Sequence, residues 1–547
     1  MPPAPRKAPA AARPPAFVPA AWVVATLLVV PVLVVGRHTV HGYFALDDLI
    51  LFQQAAGIRP WPLTAWRWLS GWAWFHAVLP LWGHEPFPYH AASLVIHAAN
   101  TLLLYRLARR WGATPVAAWV GAGLFAASHL HFPALFASSS IGELLSLTGT
   151  LGALLLVGSG PRMGLSLAAF ALALSAKESV LLVPIAALLA ERDGTPWTER
   201  VKRLLPLVSV GVVLGALLLA SGLASGRLGG EAYAVSLGAS TAENVARLFG
   251  WTIDLRDPIP DLHATTVGAA RWTLPLLSAA LSLLPFRMRA APLVRAGTAW
   301  WWLAVLPVLP LPGRSYLHYL YVPLAGAALV VAGLWDGMLA RRAARPGSGA
   351  GRGRARWVAA LALLTVYTAW SDVLLSVRED LRMTSTDWPL DPVLRKSEIA
   401  RRSIGDVAQA LAGRHARVAI IIPASISQNV NLGSGVMSAD SPIRGYELEQ
   451  VLDGGRSLRA LVPAADSAVF VHDYAPGHEG WEYFLSRSDS HLVPLGTLPE
   501  AHARYVAAMI ASRLPAAALD YADKALADRP GDPALRALRE RAAQAAR

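Results

Sequence analysis

Long apolar stretches fill the first two thirds of the chain, and polar residues are grouped between them. A helix that crosses a bilayer needs about 20 mostly apolar residues. Ten runs approach that length: 17–36, 88–108, 114–136, 141–157, 163–190, 204–222, 265–285, 294–311, 316–339 and 357–377. Lys177–Glu178 interrupts the run 163–190, so we expect two short helices there and about 11 spans in total.

The composition agrees with a membrane protein rather than a soluble one. Only 16% of the 547 residues are charged, against about 25% in soluble domains. A net charge of +13 could indicate a nucleic-acid partner. However, residues 379–547 contain 19 basic and 21 acidic residues, so the basic excess belongs to the apolar part. There the basic residues form short clusters between apolar runs, and we expect no nucleic-acid partner.

The basic clusters also predict the orientation, because cytoplasmic loops are enriched in Lys and Arg. With the tail 1–16 in the cytoplasm, most basic clusters fall on the cytoplasmic side and most acidic residues on the other. The sequence thus predicts a transmembrane domain over 17–378 in a bacterial inner membrane. A Gly/Arg-rich cytoplasmic hinge is predicted over 341–356, and an extracytoplasmic soluble module over 379–547.

The predicted C-terminal module has an α/β or helical pattern. Helical spacing covers 395–413, and 417–423 and 467–474 are candidate strands. The Ala-rich stretch 498–546 favours helices, with Pro530 at a turn. Part of this stretch resembles a tetratricopeptide helix pair, and a simple helical hairpin is the alternative. The chain has no cysteine, so no disulfide contributes to this module.

Ionisable residues near membrane depth are costly and commonly functional. Asp47 and Asp48 follow the first span and could supply a general base or bind a metal ion. The alternative is a solvated loop, or a cap for a short helix at 49–56. Glu143 lies at the outer end of the fourth span, where it could act in catalysis or pair with an Arg.

Two further polar groups point to a phosphate. Lys177 could face a phosphate, with Glu178 orienting it, or the two could form a structural pair. Arg314, His318 and Tyr319 lie between two late spans, where a cation and hydroxyls would suit a lipid-linked phosphate. Three other polar residues share one face of the second span and predict interhelical hydrogen bonds: His90, His97 and Asn100.

The order of these motifs resembles the GT-C superfamily of membrane glycosyltransferases. The likeness is densest over 41–190, and it is greatest to protein O-mannosyltransferase-like members with C-terminal tetratricopeptide repeats. The motifs that carry it are the acidic pair Asp47–Asp48, Arg59–Pro60, YHAASLVIHAANTLLLYRL, FASSSIGELLSL, LALSAKESVLLVPIAAL and Tyr319–Leu320–Tyr321. Where that family commonly has Arg before the first Tyr, this chain has His318.

The resemblance implies a GT-C-like fold and an enzyme with a polyprenyl-phosphate-linked sugar donor. The enzyme would be a hexosyltransferase, with mannose among the candidate sugars, and its acceptor would be a protein, lipid or polysaccharide hydroxyl. It implies catalytic roles for Asp47, Asp48 and Glu143, and a donor-phosphate site built from Lys177, Glu178, Arg314, His318 and Tyr319. Some relatives use a divalent cation, so Mg²⁺ or Mn²⁺ at the three catalytic carboxylates stays open. No other cofactor is implied.

Two other interpretations remain open from the sequence alone. The same buried charges could line the path of a transporter or flippase for lipid-linked saccharides. The chain could also be an assembly protein that has kept the scaffold without the chemistry.

Overall fold

A computed structural model of the chain describes most of its residues. The described ranges are 19–61, 67–158, 161–190, 195–224, 235–260, 270–287, 292–312, 314–343, 352–383, 388–422, 445–471, 474, 480–487 and 491–547. The predicted tail 1–16 and residues 344–351 of the predicted hinge lie outside them.

α-Helices form most of the first 380 residues. They are α1 (Ala21–Gly36), α2 (Leu46–Ala55), α3 (Trp74–Trp82), α4 (Pro86–Arg110), α5 (Pro115–Ala126), α6 (Phe132–Phe136), α7 (Ile141–Leu156), α8 (Pro161–Ala176), α9 (Trp197–Ala224), α10 (Ala239–Ile253), α11 (Ala270–Arg287), α12 (Pro292–Val305), α13 (Tyr321–Ala343) and α14 (Arg352–Asp380).

Within the described residues, five helices are long and apolar enough to cross a membrane. They are Pro86–Arg110, Ser138–Leu156, Trp197–Ser221, Leu317–Met338 and Gly353–Asp380. This length and composition are those of an integral membrane protein. Other predicted spans correspond to shorter apolar helices, and the predicted number of about 11 spans stays a prediction.

The run 114–136 does not form the single helix that the sequence predicts. Helix α5 ends at Ala126, and the chain continues as a 3₁₀ turn, His129–His131, and the short α6. Pro133 lies at the beginning of α6, where proline is tolerated. In one continuous helix over 114–136 it would lie in the interior, where proline removes a backbone hydrogen bond and breaks the helix. After this break the chain reaches the beginning of α2, where Ser139 contacts Asp48.

The predicted interruption at Lys177–Glu178 is confirmed. Helix α8 ends at Ala176, and Lys177 has an extended backbone. The second segment is not an α-helix: it consists of 3₁₀ turns at Glu178–Val180 and Val183–Leu189. Helix α10 was not predicted, because Glu243 and Arg247 divide its apolar residues into runs too short to span a bilayer.

Close backbone packing and buried hydrogen bonds hold the helices together. A Cβ added to Gly326 on α13 would lie 2.6 Å from the carbonyl oxygen of Gly297 on α12, so these backbones are in direct contact. His97 Nδ1 lies 2.8 Å from the Tyr321 hydroxyl, and the Asn100 amide donates to the Leu144 carbonyl at 3.0 Å. The predicted interhelical bonds of His97 and Asn100 are therefore confirmed, whereas His90 Nε2 lies 3.1 Å from the carbonyl oxygen of Gly42, which belongs to the loop before α2.

The C-terminal part combines helices with one sheet. Its helices are α15 (Pro392–Leu411), α16 (Gly445–Val451), α17 (Arg456–Leu461), α18 (Glu500–Ala511), α19 (Pro515–Asp528) and α20 (Pro533–Ala546). Its strands are β1 (Ala416–Ile421), β2 (Ala465–Val471), β3 (Trp481–Ser486) and β4 (Leu492–Gly496).

The sheet has the strand order β2-β1-β3-β4. Strand β1 pairs in parallel with β2 and β3, and β4 is antiparallel to β3. The two predicted strands correspond to β1 and β2, and the predicted helix 395–413 to α15. Pro530 lies between α19 and α20, as predicted, while the tetratricopeptide interpretation of this pair stays a prediction.

We expect the glycine at the α12–α13 contact to be required for stability. Gly326→Ala would place a methyl group against the Gly297 carbonyl oxygen, and such overpacking costs about 1–3 kcal/mol. Thermal unfolding of the purified protein in detergent would show a lower midpoint. Gly337→Ala on the same helix is the control, because nothing lies within 4 Å of its added Cβ. Equal midpoints for the two variants would contradict this packing.

Candidate active site

The end of α8 and the beginning of α7 meet at a very close approach. A Cβ on Gly142 would lie 2.9 Å from the Ala176 carbonyl oxygen and 3.0 Å from Ser70 Oγ. Ser70 belongs to a π-helical turn, Trp68–Ala73, and its hydroxyl donates to the same Ala176 carbonyl at 2.7 Å. Three distant segments of the chain therefore converge next to Lys177.

Glu143 and Lys177 form a buried ion pair at this junction. Lys177 Nζ lies 2.9 Å from Glu143 Oε1, and the Glu143 side chain is 0% exposed. The Ser179 hydroxyl donates to the other carboxylate oxygen at 3.3 Å. The Lys177 ammonium also lies 5.2 Å from the ring centroid of Tyr319. The structure thus brings together three of the sequence-predicted site residues.

Glu178 has a different cation, Arg67. The Arg67 guanidinium donates to both carboxylate oxygens of Glu178, at 3.1 and 2.5 Å. This fork-like geometry is the strongest form of such a pair. The backbone of Arg67 is left-handed, with φ of 51°, and it precedes the π-helical turn that carries Ser70. Sequence reasoning missed Arg67, although an Arg within a Trp-rich apolar segment was an available signal.

The acidic pair divides into one buried and one exposed carboxylate. Asp48 is fully buried and accepts N–H bonds from Ala45 at 3.0 Å and from Ser139 at 2.5 Å. Burial raises the pKa of Asp48 to about 6, and these backbone N–H groups partly offset the effect. Asp47, one residue earlier on α2, is exposed. Asp48 therefore caps the first turn of α2, which begins at residue 46 rather than at the predicted residue 49, and it also holds the turn that leads to Glu143.

The serine run before α7 does not cap this helix through the side chain of its N-cap residue, Ser140. The three serines form a 3₁₀ turn, Ser138–Ser140. The backbone N–H of Ser139 instead binds Asp48, so the serine run ties the first loop to the helix of Glu143.

Of the late polar segment, Tyr319 lies against Lys177, and His318 packs on Tyr319. The His318 ring lies 4.5 Å from that of Tyr319 and stacks on Tyr316 with centroids 5.5 Å apart. Arg314 precedes this turn, and its backbone N–H donates to Leu311 at 3.4 Å. Its predicted contact with the donor phosphate stays a prediction.

The carboxylates do not form a metal site. In the part of the chain that the structure describes, no three His, Asp or Glu side chains are grouped to hold a metal ion. Asp48 uses both oxygens for backbone N–H groups, and Glu143 is paired with Lys177. The donor set therefore does not fit Mg²⁺ or Mn²⁺. It fits an anion better, because Arg67 and Lys177 are cations that an incoming phosphate could contact while each stays paired with its carboxylate.

Comparison with known proteins gives little beyond this geometry. No family model matches the chain, and no curated protein matches it. One similar solved structure is that of ArnT from Cupriavidus metallidurans bound to undecaprenyl phosphate, which is 13% identical. The match covers 85% of this chain and 93% of that chain, with a TM-score of 0.40. A likeness at this level carries no functional conclusion for this chain.

We expect the Glu143–Lys177 pair to be essential for folding. Lys177→Met would leave Glu143 charged and buried without a cation, and breaking a buried pair in this way costs about 3–5 kcal/mol. Thermal unfolding should show a large loss in Lys177→Met, and Lys177→Met/Glu143→Gln should regain most of it.

Lys524→Met is the matched control. Lys524 pairs with Asp520 on the surface, so its replacement should cost no more than about 1 kcal/mol. A loss in Lys177→Met no larger than in this control would contradict the buried pair.

Proposed function

We propose that the protein is a glycosyltransferase that moves a sugar from a polyprenyl-phosphate donor to an acceptor hydroxyl. The observation that carries this proposal is the presence of two cations, Lys177 and Arg67, at the junction where α8 ends beside the beginning of α7, paired with Glu143 and Glu178 respectively. The order of motifs that resembles the GT-C superfamily supports the same reaction. The proposed site faces the extracytoplasmic side of a bacterial inner membrane, with the N-terminus in the cytoplasm.

A lipid-linked donor suits the surroundings of the two cations. Helix α8 leads to Lys177 and carries exposed leucines, Leu165 and Leu172, on its surface. Sixteen residues of helix span about 24 Å, so an isoprenoid chain could run along α8 while its phosphate reaches the cations. A soluble nucleotide-sugar donor would have no use for this apolar approach.

The cations would stabilise the departing phosphate. As the bond between the anomeric carbon and the phosphate oxygen breaks, its electron pair and negative charge pass to the phosphate. Arg67 can donate two parallel N–H bonds to phosphate oxygens, and Lys177 adds a point charge. Positioned charges of this kind lower the barrier because they already point to where negative charge develops. Glu143 and Glu178 orient the two cations and stay paired with them.

The different surroundings of Asp47 and Asp48 support different roles for the two residues of the acidic pair. Asp47 is exposed and can accept the proton of the acceptor hydroxyl while its oxygen attacks the anomeric carbon. Asp48 is buried and fully engaged with backbone N–H groups, which suits a positioning role. Attack opposite the leaving phosphate in one step would invert the anomeric centre. We propose a hexose, with mannose as one candidate, and leave the acceptor as a protein, lipid or polysaccharide hydroxyl.

We expect substitution of either aspartate to reduce transfer, but for different reasons. Asp47→Asn removes the base and should lower kcat by about 10²–10⁴-fold with unchanged thermal stability. Asp48→Asn should lower both kcat and the unfolding temperature, because an amide nitrogen cannot accept the N–H bond that a carboxylate oxygen accepts. Consumption of a radiolabelled polyprenyl-phosphate sugar in membranes measures the activity.

Asp466→Asn, at an exposed carboxylate of the sheet, is the control and should retain full activity. Unchanged turnover in both Asp47→Asn and Asp48→Asn would refute the catalytic assignment. Movement of intact labelled lipid across the membrane, without release of sugar, would instead identify a flippase.

A further inference from the structure

The C-terminal part binds the loop that carries the acidic pair. The backbone N–H of Tyr43 donates to Ser397 Oγ at 3.0 Å, and the Ser397 hydroxyl donates back to the Tyr43 carbonyl at 3.0 Å. Ser397 is buried on α15, and Tyr43 lies four residues before Asp47. One side chain therefore satisfies both backbone groups of a loop residue that lies 354 positions earlier in the chain.

Two buried arginines anchor helix α15. Arg378, near the end of α14, pairs with Asp391, and both side chains are 0% exposed. Asp391 also caps α15 by accepting the N–H groups of Val393 and Leu394 at 2.8 Å. Farther along α15, Arg395 lies 3.1 Å from Glu447. Since α14 is a candidate membrane span, Ser397 has a fixed position relative to the bundle.

The other end of α2 contacts the C-terminal part as well. The Gln53 amide donates to Ser457 Oγ at 3.1 Å, and both residues are fully buried. Arg59 pairs with Asp453 at 3.2 Å on the surface of the same interface. Phe52 belongs to one continuous apolar core with residues of the C-terminal helices α16 and α17. The chain is therefore anchored to the C-terminal part on both sides of the acidic pair, at Tyr43 before it and at Gln53 and Arg59 after it.

The charges at this interface also complement each other. Lys396 follows Arg395 on α15, and the negative charges of Glu447 and Asp47 both act on its ammonium group. Burial lowers the pKa of Lys396, and these two carboxylates oppose that effect. Lys396 thus adds a positive charge that interacts electrostatically with Asp47, the exposed member of the acidic pair.

We propose that the C-terminal part is a fixed wall of the active site, in which Ser397 positions Asp47 and Asp48 for the reaction. This inference rests on the proposed glycosyl transfer. It differs from a mobile docking module for a protein acceptor, which the tetratricopeptide likeness would imply. Ser397 acts through the backbone of Tyr43 and does not touch the reacting atoms.

Steady-state kinetics of the full chain test the role of Ser397. Ser397→Ala should lower kcat by about 10–100-fold with an unchanged KM for the donor, because the base is misplaced while the phosphate site is intact. Ser397→Thr keeps the hydroxyl and should restore most of the activity. Ser512→Ala, at an exposed serine, should behave as wild type. Wild-type kcat in Ser397→Ala, or no rescue by threonine, would overturn the positioning role.

A cross-link between two introduced cysteines tests the fixed wall directly. The chain has no cysteine of its own, so only the introduced thiols can react. Arg59→Cys/Asp453→Cys places two accessible thiols across the interface, and a short bifunctional thiol reagent should join them. Peptide mass spectrometry would identify the link. The cross-linked protein should retain the turnover of the untreated double variant. Absence of the link, or loss of turnover only after linking, would overturn a fixed wall.

These outcomes are distinguishable from failure of the proposed function. A wild-type protein that consumes no polyprenyl-phosphate sugar would refute the transfer reaction, whereas the cross-linking yield still reports where the C-terminal part lies. Wild-type consumption with full activity in Ser397→Ala would leave the transfer reaction in place and refute only the positioning role.

Discussion

The pairing of buried charge within an apolar helical bundle is the constraint on which this site depends. Glu143 is 0% exposed at the beginning of α7, and a carboxylate in that position is stable only with a cation beside it. Lys177 supplies that cation because α8 ends one residue earlier and the backbone becomes extended. Gly142 permits the close approach that brings the two helix ends together. The residues proposed for chemistry are thus the same residues that hold this end of the bundle together.

The site consists of two kinds of polar group with separate origins. The cations come from the end of α8 and from the Trp-rich segment that contains Arg67. The acidic pair comes from the first loop, and Asp48 joins it to the helix of Glu143 through the backbone of Ser139. The C-terminal part anchors the same loop from the other side through Ser397. In the proposed reaction, the residues that stabilise the leaving phosphate and the residue that removes the proton therefore come from different parts of the chain.

The sequence predicts local features of this arrangement better than long-range partners. The break at Lys177, the strands β1 and β2 and the interhelical bonds of His97 and Asn100 follow from local pattern, and the structure confirms them. The partnership of Arg67 with Glu178 joins residues 111 positions apart, and hydrophobic periodicity contains no information on such pairing. The same is true of Asp48 and Ser139. The run 114–136 was wrongly predicted as one helix. Its apolar character continues through the turn at 127–131, so hydrophobicity alone does not indicate that α5 ends at Ala126.

Binding of the lipid phosphate is the property that the two cations should control. Native mass spectrometry of the full chain in detergent can compare a polyprenyl phosphate with the corresponding polyprenol. The account predicts that Arg67→Gln/Glu178→Gln, which removes the cation without stranding its carboxylate, weakens binding of the phosphate at least about tenfold. Polyprenol binding should not change, and Arg401→Gln, at an exposed pair on α15, should match wild type for both lipids. Undiminished phosphate binding in the double variant would contradict the account.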